Sequence, residues 1–243
     1  MKTYLDIHGN YYEKAHYAGT KSQEFMYVSR ENFLIDFMGL KGNERILDVG
    51  CGSSVFSRLL AKKYPCAEIM GIDISEEAVD FATTAKEKEG LKNVSFMATG
   101  INNLPFKNDS FDVIIVSHLI EHLEKPNEAL IEVNLKLKKG GILFVTTPNY
   151  LSLWPLAEIT FDKFCAQKGY NLKEQHISKF NYFSLKREVS RNNFAVKNIK
   201  TLYLISLQLA LISKRLGWLF FKLDKLLSFT PFGMIIYLKA IKN

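Results

Sequence analysis

Apolar residues along the chain fall into two patterns, short uninterrupted runs and longer segments in which they recur at every third or fourth position. The runs ILDV, DVIIVS and ILFVTT are nearly continuous, as expected of strands that helices cover on both faces of a parallel sheet. The segments between them have the period of amphipathic helices. The regular succession of strand and helix predicts a doubly wound α/β fold.

Turn residues and helix caps set the expected bounds of the elements. Strands are predicted over residues 45–49, 68–74, 94–98, 111–117, 141–147, 194–201 and 234–241. Helices are predicted over residues 23–40, 55–63, between Ser75 and Gly90, and over 127–137 and 184–192. Residues 149–181 are expected to form a linking stretch, and residues 202–229 an apolar helical segment interrupted only at Gly217.

This pattern divides the chain into three regions. We expect an N-terminal helical lid in residues 1–43, a Rossmann-like ligand-binding core in 44–148, and a substrate-side segment in 149–243 that carries a helical insertion, 202–229, before the last strand. The aromatic residues near the N-terminus either close over the ligand or form a packed cluster; they are Tyr11, Tyr12, His16 and Tyr17.

A glycine turn follows the first predicted strand in the sequence ILDVGCGSS. A strand that runs into glycines and then a helix places backbone N–H groups beside a ligand. In open α/β sheets this ligand lies outside the carboxyl ends of the strands. Asp73 ends the second predicted strand, where its carboxylate can accept hydrogen bonds from a ribose diol, and Ile74 can pack on a flat base.

The glycine spacing indicates which nucleoside is bound. The dinucleotide fingerprint G-x-G-x-x-G requires glycine at position 55, where the chain has Val55. A nucleoside without phosphates is therefore favoured, and a nicotinamide-dependent oxidoreductase is the weaker alternative.

Several motifs carry a family resemblance. ILDVGCGSS resembles the first motif of class I S-adenosylmethionine-dependent methyltransferases, and GIDIS resembles their second. The stretch VSFMATGINNLPFKNDSFDVIIVSHLIEHLEKP is similar to the third and fourth motifs of the methyltransferase type 11 branch, and GGILFVTTPN and EQHISKFNYFSLKREVSRNNF are similar to its closing segments. The resemblance implies a mostly parallel seven-stranded sheet, S-adenosyl-L-methionine as cofactor, and methyl transfer as the activity.

The resemblance also implies which residues hold the cofactor. Those around its methionine part would be Asp48, Gly50, Gly52, Ser117 and His118. Asp73 would bind the ribose hydroxyl groups, and Ile74 and Ile101 would enclose the adenine. Ser54 replaces the third glycine of the motif, where helix packing asks only for a small residue.

One departure from the family bears on the adenine. Gly100 stands where the family usually has an aspartate that accepts a hydrogen bond from the adenine amino group. Asn102 offers an amide oxygen for the same bond. A non-catalytic binding protein with the same fold is therefore the alternative to an enzyme.

Methyl transfer from a sulfonium is an in-line displacement, so the enzyme mainly holds the reacting atoms in line. O-methylation requires a base for the proton of the acceptor hydroxyl, and histidine suits this task near neutral pH. The five histidines are His8, His16, His118, His122 and His176. His176 is the candidate base because it follows the fifth strand, on the substrate side; His122 has helical spacing from His118, and both are compatible with a structural role.

The C-terminal region is apolar and basic. Leucine and phenylalanine residues from Leu216 to Leu227 share one helical face, and lysine and arginine residues lie on the other. Such a helix either lies in an anionic membrane interface or packs as a cap or a homodimer interface. A pocket walled by these residues would accept an apolar acceptor, so we expect a small or lipid-linked one: lipid-like, polyprenyl-linked or quinone-like, with a sugar attached to a lipid carrier as the next candidate.

Charge and cysteine content restrict the environment of the protein. Residues 197–243 contain eight basic residues and one acid, so residues 1–196 have no net charge although the whole chain has +7. This localised charge does not favour nucleic acid as a partner. The cysteines, Cys51, Cys66 and Cys165, have no spacing typical of a metal site, and the N-terminus lacks the apolar core of a signal peptide. We therefore expect no metal, and a location in the cytoplasm or peripherally on the inner face of the membrane.

Overall fold

The computed structural model describes residues 21–164 and 175–243. Its centre is a seven-stranded sheet with the order β3-β2-β1-β4-β5-β7-β6. The strands are β1 (Arg45–Val49), β2 (Glu68–Asp73), β3 (Val94–Ala98), β4 (Phe111–Ser117), β5 (Leu137–Pro148), β6 (Phe194–Leu202) and β7 (Ile235–Lys242). β1 to β5 pair in parallel, and β7 lies antiparallel between β5 and β6. The predicted fold class is confirmed.

Eight α-helices are described around the sheet. They are α1 (Lys21–Met38), α2 (Val55–Lys63), α3 (Glu76–Lys88), α4 (Pro126–Lys136), α5 (Trp154–Phe164), α6 (Tyr182–Arg191), α7 (Ser206–Ile212) and α8 (Lys214–Leu226). A short 3-10 helix covers Ile120–His122. Ser75 caps α3 as expected, because its Oγ accepts a hydrogen bond from the N–H of Ala78.

Alternate residues of the central strands enter two separate cores, which explains the continuous apolar runs. On one face, Ile46 and Ile115 pack with residues of α1, α2, α7 and α8. On the other face, Leu47 and Ile114 pack with residues of α4 and α6. In the region predicted as an N-terminal lid, α1 buries Phe25 and belongs to the first core, while Tyr11, Tyr12, His16 and Tyr17 lie outside the described residues.

The stretch after β5 differs from the prediction. Instead of a simple link, it contains α5, which buries Glu158 and exposes Leu156 and Ile159. This part of α5 thus buries a charged residue and exposes apolar ones, the opposite of an ordinary amphipathic helix. For this reason the hydrophobic pattern of the sequence did not predict the helix.

The prediction of a helical segment over 202–229, interrupted only at Gly217, is wrong in three respects. Leu202 ends β6, and the helical part is a pair, α7 and α8, separated at Ser213, whose backbone is extended (φ −153°, ψ 127°). Gly217 does not interrupt α8 but lies within it, where a Cβ would approach the Cβ of Ala210 to 2.7 Å. The carboxylate of Asp224 on α8 accepts hydrogen bonds from the N–H groups of Ile205 and Ser206, which holds the two helices together.

Candidate cofactor and acceptor site

The turn after β1 is held against β2 by its own backbone. The N–H groups of Gly50 and Cys51 both donate to the carbonyl oxygen of Ile72, at 2.8 and 2.9 Å. Gly50 has a φ of 73°, and a Cβ built on it would lie 3.1 Å from the side chain of Leu119. Glycine at this position therefore satisfies both a left-handed backbone and a close contact with the segment after β4.

Ser54 occupies the position of the third glycine in the family motif. Its conformation shows a second reason, besides helix packing, why glycine is usual at this position. Its φ is 59°, in the left-handed region that glycine adopts most easily, and its side chain is fully buried. Backbone conformation, in addition to helix packing, therefore explains the preference at this position.

Asp73 is fixed at the end of β2 by two backbone donors. The N–H of Gly52 donates to its Oδ2 at 2.9 Å, and the N–H of Ser75 donates to its Oδ1 at 3.0 Å. A carboxylate oxygen has two lone pairs, so each oxygen can accept one further hydrogen bond. The carboxylate is thus held in place and still able to bind a diol.

Asp48 lies on β1, directly before the last residue of the strand and the glycine turn, and it is buried. The Oγ of Ser57 donates to its Oδ2 at 2.5 Å. Burial raises the pKa of Asp48 to about 7, because the hydrogen bond from Ser57 offsets only part of the cost of removing the charge from water. This carboxyl group therefore supports the turn from inside.

The predicted adenine residues differ in accessibility. Ile74 is 62% exposed, which is unusual for isoleucine, and it lies beside Gly100, where a Cβ would come within 3.9 Å of its Cδ1. Ile101 is buried in the second core, and Asn102 is exposed. The absence of a side chain at position 100 leaves this side of Ile74 open.

The end of β4 is joined to β5 by polar contacts. The hydroxyl groups of Ser117 and Thr146 lie 2.8 Å apart, and the N–H of His118 donates to the carbonyl oxygen of Thr146 at 2.9 Å. His118 has a left-handed φ of 51°, and His118 and His122 do not share a helix face as their spacing suggested.

Glu121 was not found by sequence reasoning, although it lies just beyond β4 and contacts both β5 and the segment around His176. Its carboxylate is buried, accepts a hydrogen bond from Thr147 Oγ1 at 2.9 Å, and lies 3.3 Å from His118 Nδ1. Burial favours the neutral acid, but the hydrogen bond from His118 and the nearby imidazoles outweigh this effect and lower the pKa of Glu121. Its backbone oxygen accepts from the N–H of Ser178, which brings the segment around His176 to the end of β4.

His176 is buried, at 4% exposure, in a hydrogen-bonded network with Tyr150 and with Glu158 of α5. Its Nδ1 lies 2.6 Å from Oε1 of Glu158, which also accepts a hydrogen bond from the hydroxyl of Tyr150 at 2.7 Å. Burial and the neighbouring Glu158 carboxylate raise the pKa of Tyr150 above its usual range. Glu158 gave no signal in the sequence because it lies on the helix that the hydrophobic pattern did not reveal.

The structure brings His176 next to His122. Their ring centroids are 5.1 Å apart, and Nδ1 of His122 lies 3.1 Å from the backbone oxygen of Gln175. Single ligand atoms of Glu121, His122 and His176 all lie within 4.8 Å of one another. The expectation of no metal rested on spacing in the sequence, and these residues meet only in the folded chain.

Comparison with known proteins places these observations in context. The model of a family described as "Methyltransferase domain" matches residues 40–202. An uncharacterized methyltransferase of Schizosaccharomyces pombe is 35% identical over 119 residues, which cover 46% of this chain and 43% of that protein. A ubiquinone biosynthesis O-methyltransferase of Coxiella burnetii is 36% identical over 110 residues, which cover 45% of each chain. The chain spans less than half the length of these two relatives.

A solved structure shows the same fold. A SAM-dependent methyltransferase from Aquifex aeolicus aligns with a TM-score of 0.61 and 17% identity, over 93% of this chain and all of that one. At this identity the likeness concerns the arrangement of strands and helices.

Proposed function

This chain belongs to the class I S-adenosylmethionine-dependent methyltransferase family, and from that premise we propose that it transfers a methyl group from S-adenosylmethionine to an oxygen atom of a small or lipid-linked acceptor. The observation that carries the proposal is the contact between the glycine turn and Asp73. This contact holds the Asp73 carboxylate, which can still accept hydrogen bonds, beside the backbone of the glycine turn and the exposed side chain of Ile74.

The described residues fit an adenosyl cofactor. Asp73 would accept the ribose hydroxyl groups, Ile74 would pack on the adenine, and Asn102 is exposed and able to accept from the adenine amino group. The turn at Gly50 and Gly52 would admit the methionine part. The cofactor supplies an activated methyl group, and its sulfur leaves as a neutral thioether. The task of the chain is therefore to hold the acceptor in line and to exclude water.

The acceptor is proposed to lie at the end of β4, against Glu121, His122 and His176. An acceptor hydroxyl loses its proton during transfer, and these three side chains are among the ionisable groups that the described residues gather there. The candidate base, His176, is oriented by Glu158. The C. burnetii relative, a ubiquinone biosynthesis O-methyltransferase, supports oxygen as the acceptor atom and an apolar, quinone-like acceptor.

The test is calorimetric titration with S-adenosylmethionine and S-adenosylhomocysteine. We expect both compounds to bind. Asp73→Ala removes two acceptor oxygens and should therefore weaken binding at least about tenfold, which corresponds to about 1.4 kcal/mol. Asp80→Ala, on the exposed face of α3, is the matched control and should bind like the parent chain. No binding to either compound, or equal binding by Asp73→Ala, would remove the proposal.

The alternative without catalysis is separated by a second measurement. Intact cofactor binding with no methyl transfer to any of a panel of phenols, quinols and lipid-linked hydroxyl compounds would assign the chain as a binding protein. Transfer to one class of acceptor would assign the enzyme and its substrate class together.

A second proposal concerns α8 and an anionic membrane surface. The helix packs on the body through Gly217, Phe221 and Asp224, which are buried, and leaves Leu219 and Leu226 exposed at 62% and 73%. Leu216 and Leu223 lie on the same outward face and are exposed as well. The leucine face predicted from the sequence is therefore largely open to solvent, which is the arrangement that an interfacial helix needs.

Basic residues accompany this face. Arg215, Lys222 and Lys225 are exposed on α8, where they would meet anionic headgroups. Among the described helices, none has the length and apolar content to cross a bilayer. We propose that α8 lies in the interfacial region of the membrane and so brings the substrate side of the protein close to acceptors held in the bilayer.

A further inference from the structure

We propose that Glu121, His122 and His176 bind a divalent transition-metal ion, such as Zn²⁺ or Co²⁺, at the acceptor side of the sheet. Single ligand atoms of the three residues lie within 4.8 Å of one another. Two imidazoles and a carboxylate form a ligand set that suits first-row divalent ions.

The contacts of the two histidines indicate which ring nitrogen of each carries the proton. Nδ1 of His122 lies 3.1 Å from the backbone oxygen of Gln175, which can only accept, so Nδ1 carries the proton. Nδ1 of His176 lies 2.6 Å from the carboxylate of Glu158, which places its proton there as well. In both rings Nε2 is therefore the unprotonated nitrogen, the one through which a neutral imidazole binds a metal.

The supporting residues are those that metal sites commonly use. A ligating histidine usually donates its other N–H to a carboxylate or a backbone carbonyl, which orients the ring and raises its basicity. Glu158 fills this role for His176 and is itself held by the hydroxyl of Tyr150. The carbonyl of Gln175 fills it for His122.

The carboxylate of Glu121 is prepared for the same ion. Thr147 Oγ1 donates to its Oε2 at 2.9 Å, and the residue is buried beneath the histidines. Carboxylates that bind metals are commonly hydrogen-bonded in this way, which holds them in position for the ion.

The ion would change the role of His176 from base to ligand. A hydroxyl group coordinated to a divalent cation loses its proton more easily, so the acceptor would not depend on an imidazole for deprotonation. Metal binding itself does not require that the chain transfer methyl groups, so the proposal can be tested separately from the proposed function.

The experiment uses the untagged full chain, freed of metal by chelation and titrated with Co²⁺. We expect about one Co²⁺ per chain and visible absorption bands typical of a bound ion with nitrogen ligands. His122→Ala should reduce the affinity at least about tenfold, and Glu158→Gln should reduce it about tenfold, because loss of a supporting carboxylate costs about 10–100-fold in metal affinity. Glu128→Gln, an exposed carboxylate on α4, should bind like the parent chain.

Two controls keep the result interpretable. His122 is only partly buried, so its substitution leaves the core intact, and circular dichroism and S-adenosylhomocysteine affinity are measured on the same preparations. Absence of Co²⁺ binding at a tenfold excess over the chain would overturn the proposal. Stoichiometric binding that is unchanged in the His122→Ala/His176→Ala double variant would overturn it equally, because the ion would then lie elsewhere.

Discussion

At the scale of single residues, the buried carboxyl group of Asp48 makes the stability of the fold depend on pH. Burial raises its pKa from 3.8 to about 7. Between these two values the folded chain holds a proton on Asp48 that the unfolded chain has lost, so the contribution of Asp48 to the free energy of unfolding falls as pH rises from about 4 to about 7 and is level above that range.

Asp48→Asn should remove this dependence while keeping an acceptor for Ser57. The unfolding free energy of the parent chain minus that of Asp48→Asn should fall by on the order of 4 kcal/mol between pH 4 and pH 8. Urea unfolding at a series of pH values measures it. Asp80→Asn, an exposed acid, should follow the parent at every pH, and parallel profiles for the parent and Asp48→Asn would contradict the role of burial.

At the scale of elements, the contact between α7 and α8 depends on the missing side chain of Gly217. A Cβ there would lie 2.7 Å from Ala210 Cβ, closer than packed carbon atoms come. In an exposed helix Gly→Ala stabilises by about 1 kcal/mol, but here the helices must move apart. We expect Gly217→Ala to destabilise the chain by about 1–3 kcal/mol, the range found for overpacked cores.

The sign of this change is diagnostic. Denaturant unfolding of Gly217→Ala is compared with Lys222→Ala, an exposed position on the same helix that should change stability by less than about 0.5 kcal/mol. A more stable Gly217→Ala chain would show that α8 is not packed against α7 in solution.

At the scale of the whole molecule, exposed basic residues of α8 accompany its leucine face, and α8 belongs to the region, 197–243, that carries the excess positive charge of the sequence. We expect the chain to sediment with vesicles that contain anionic phospholipid and to be released by salt, because each basic residue near the surface contributes about 1 kcal/mol. Leu219→Gln/Leu226→Gln should weaken this binding at least about tenfold, since two exposed leucines no longer enter the interface.

The matched control is Ile131→Gln, an exposed apolar residue on α4, which should bind vesicles like the parent chain. Equal sedimentation with neutral and anionic vesicles would exclude electrostatic docking. No sedimentation with either kind of vesicle would contradict membrane docking by α8.

Local patterns were sufficient for most of the core. The bounds of β1, α2, β3 and β4 match the prediction, because each element has a hydrophobic period and turn residues at its ends. Where the period failed, so did the prediction: α5 buries Glu158 and exposes Leu156, and the break at Ser213 has neither glycine nor proline to mark it.

The sequence by itself determined the α/β class, the glycine turn and the acid that ends β2, since these depend on neighbours a few residues apart. Only the tertiary structure decided that Glu121, Glu158 and His176 form one cluster, and that the leucines of α8 face outward. The physical reason is distance along the chain. Which residues meet when they are tens of positions apart depends on how the layers of the fold pack, and the hydrophobic period of the sequence carries no information about that packing.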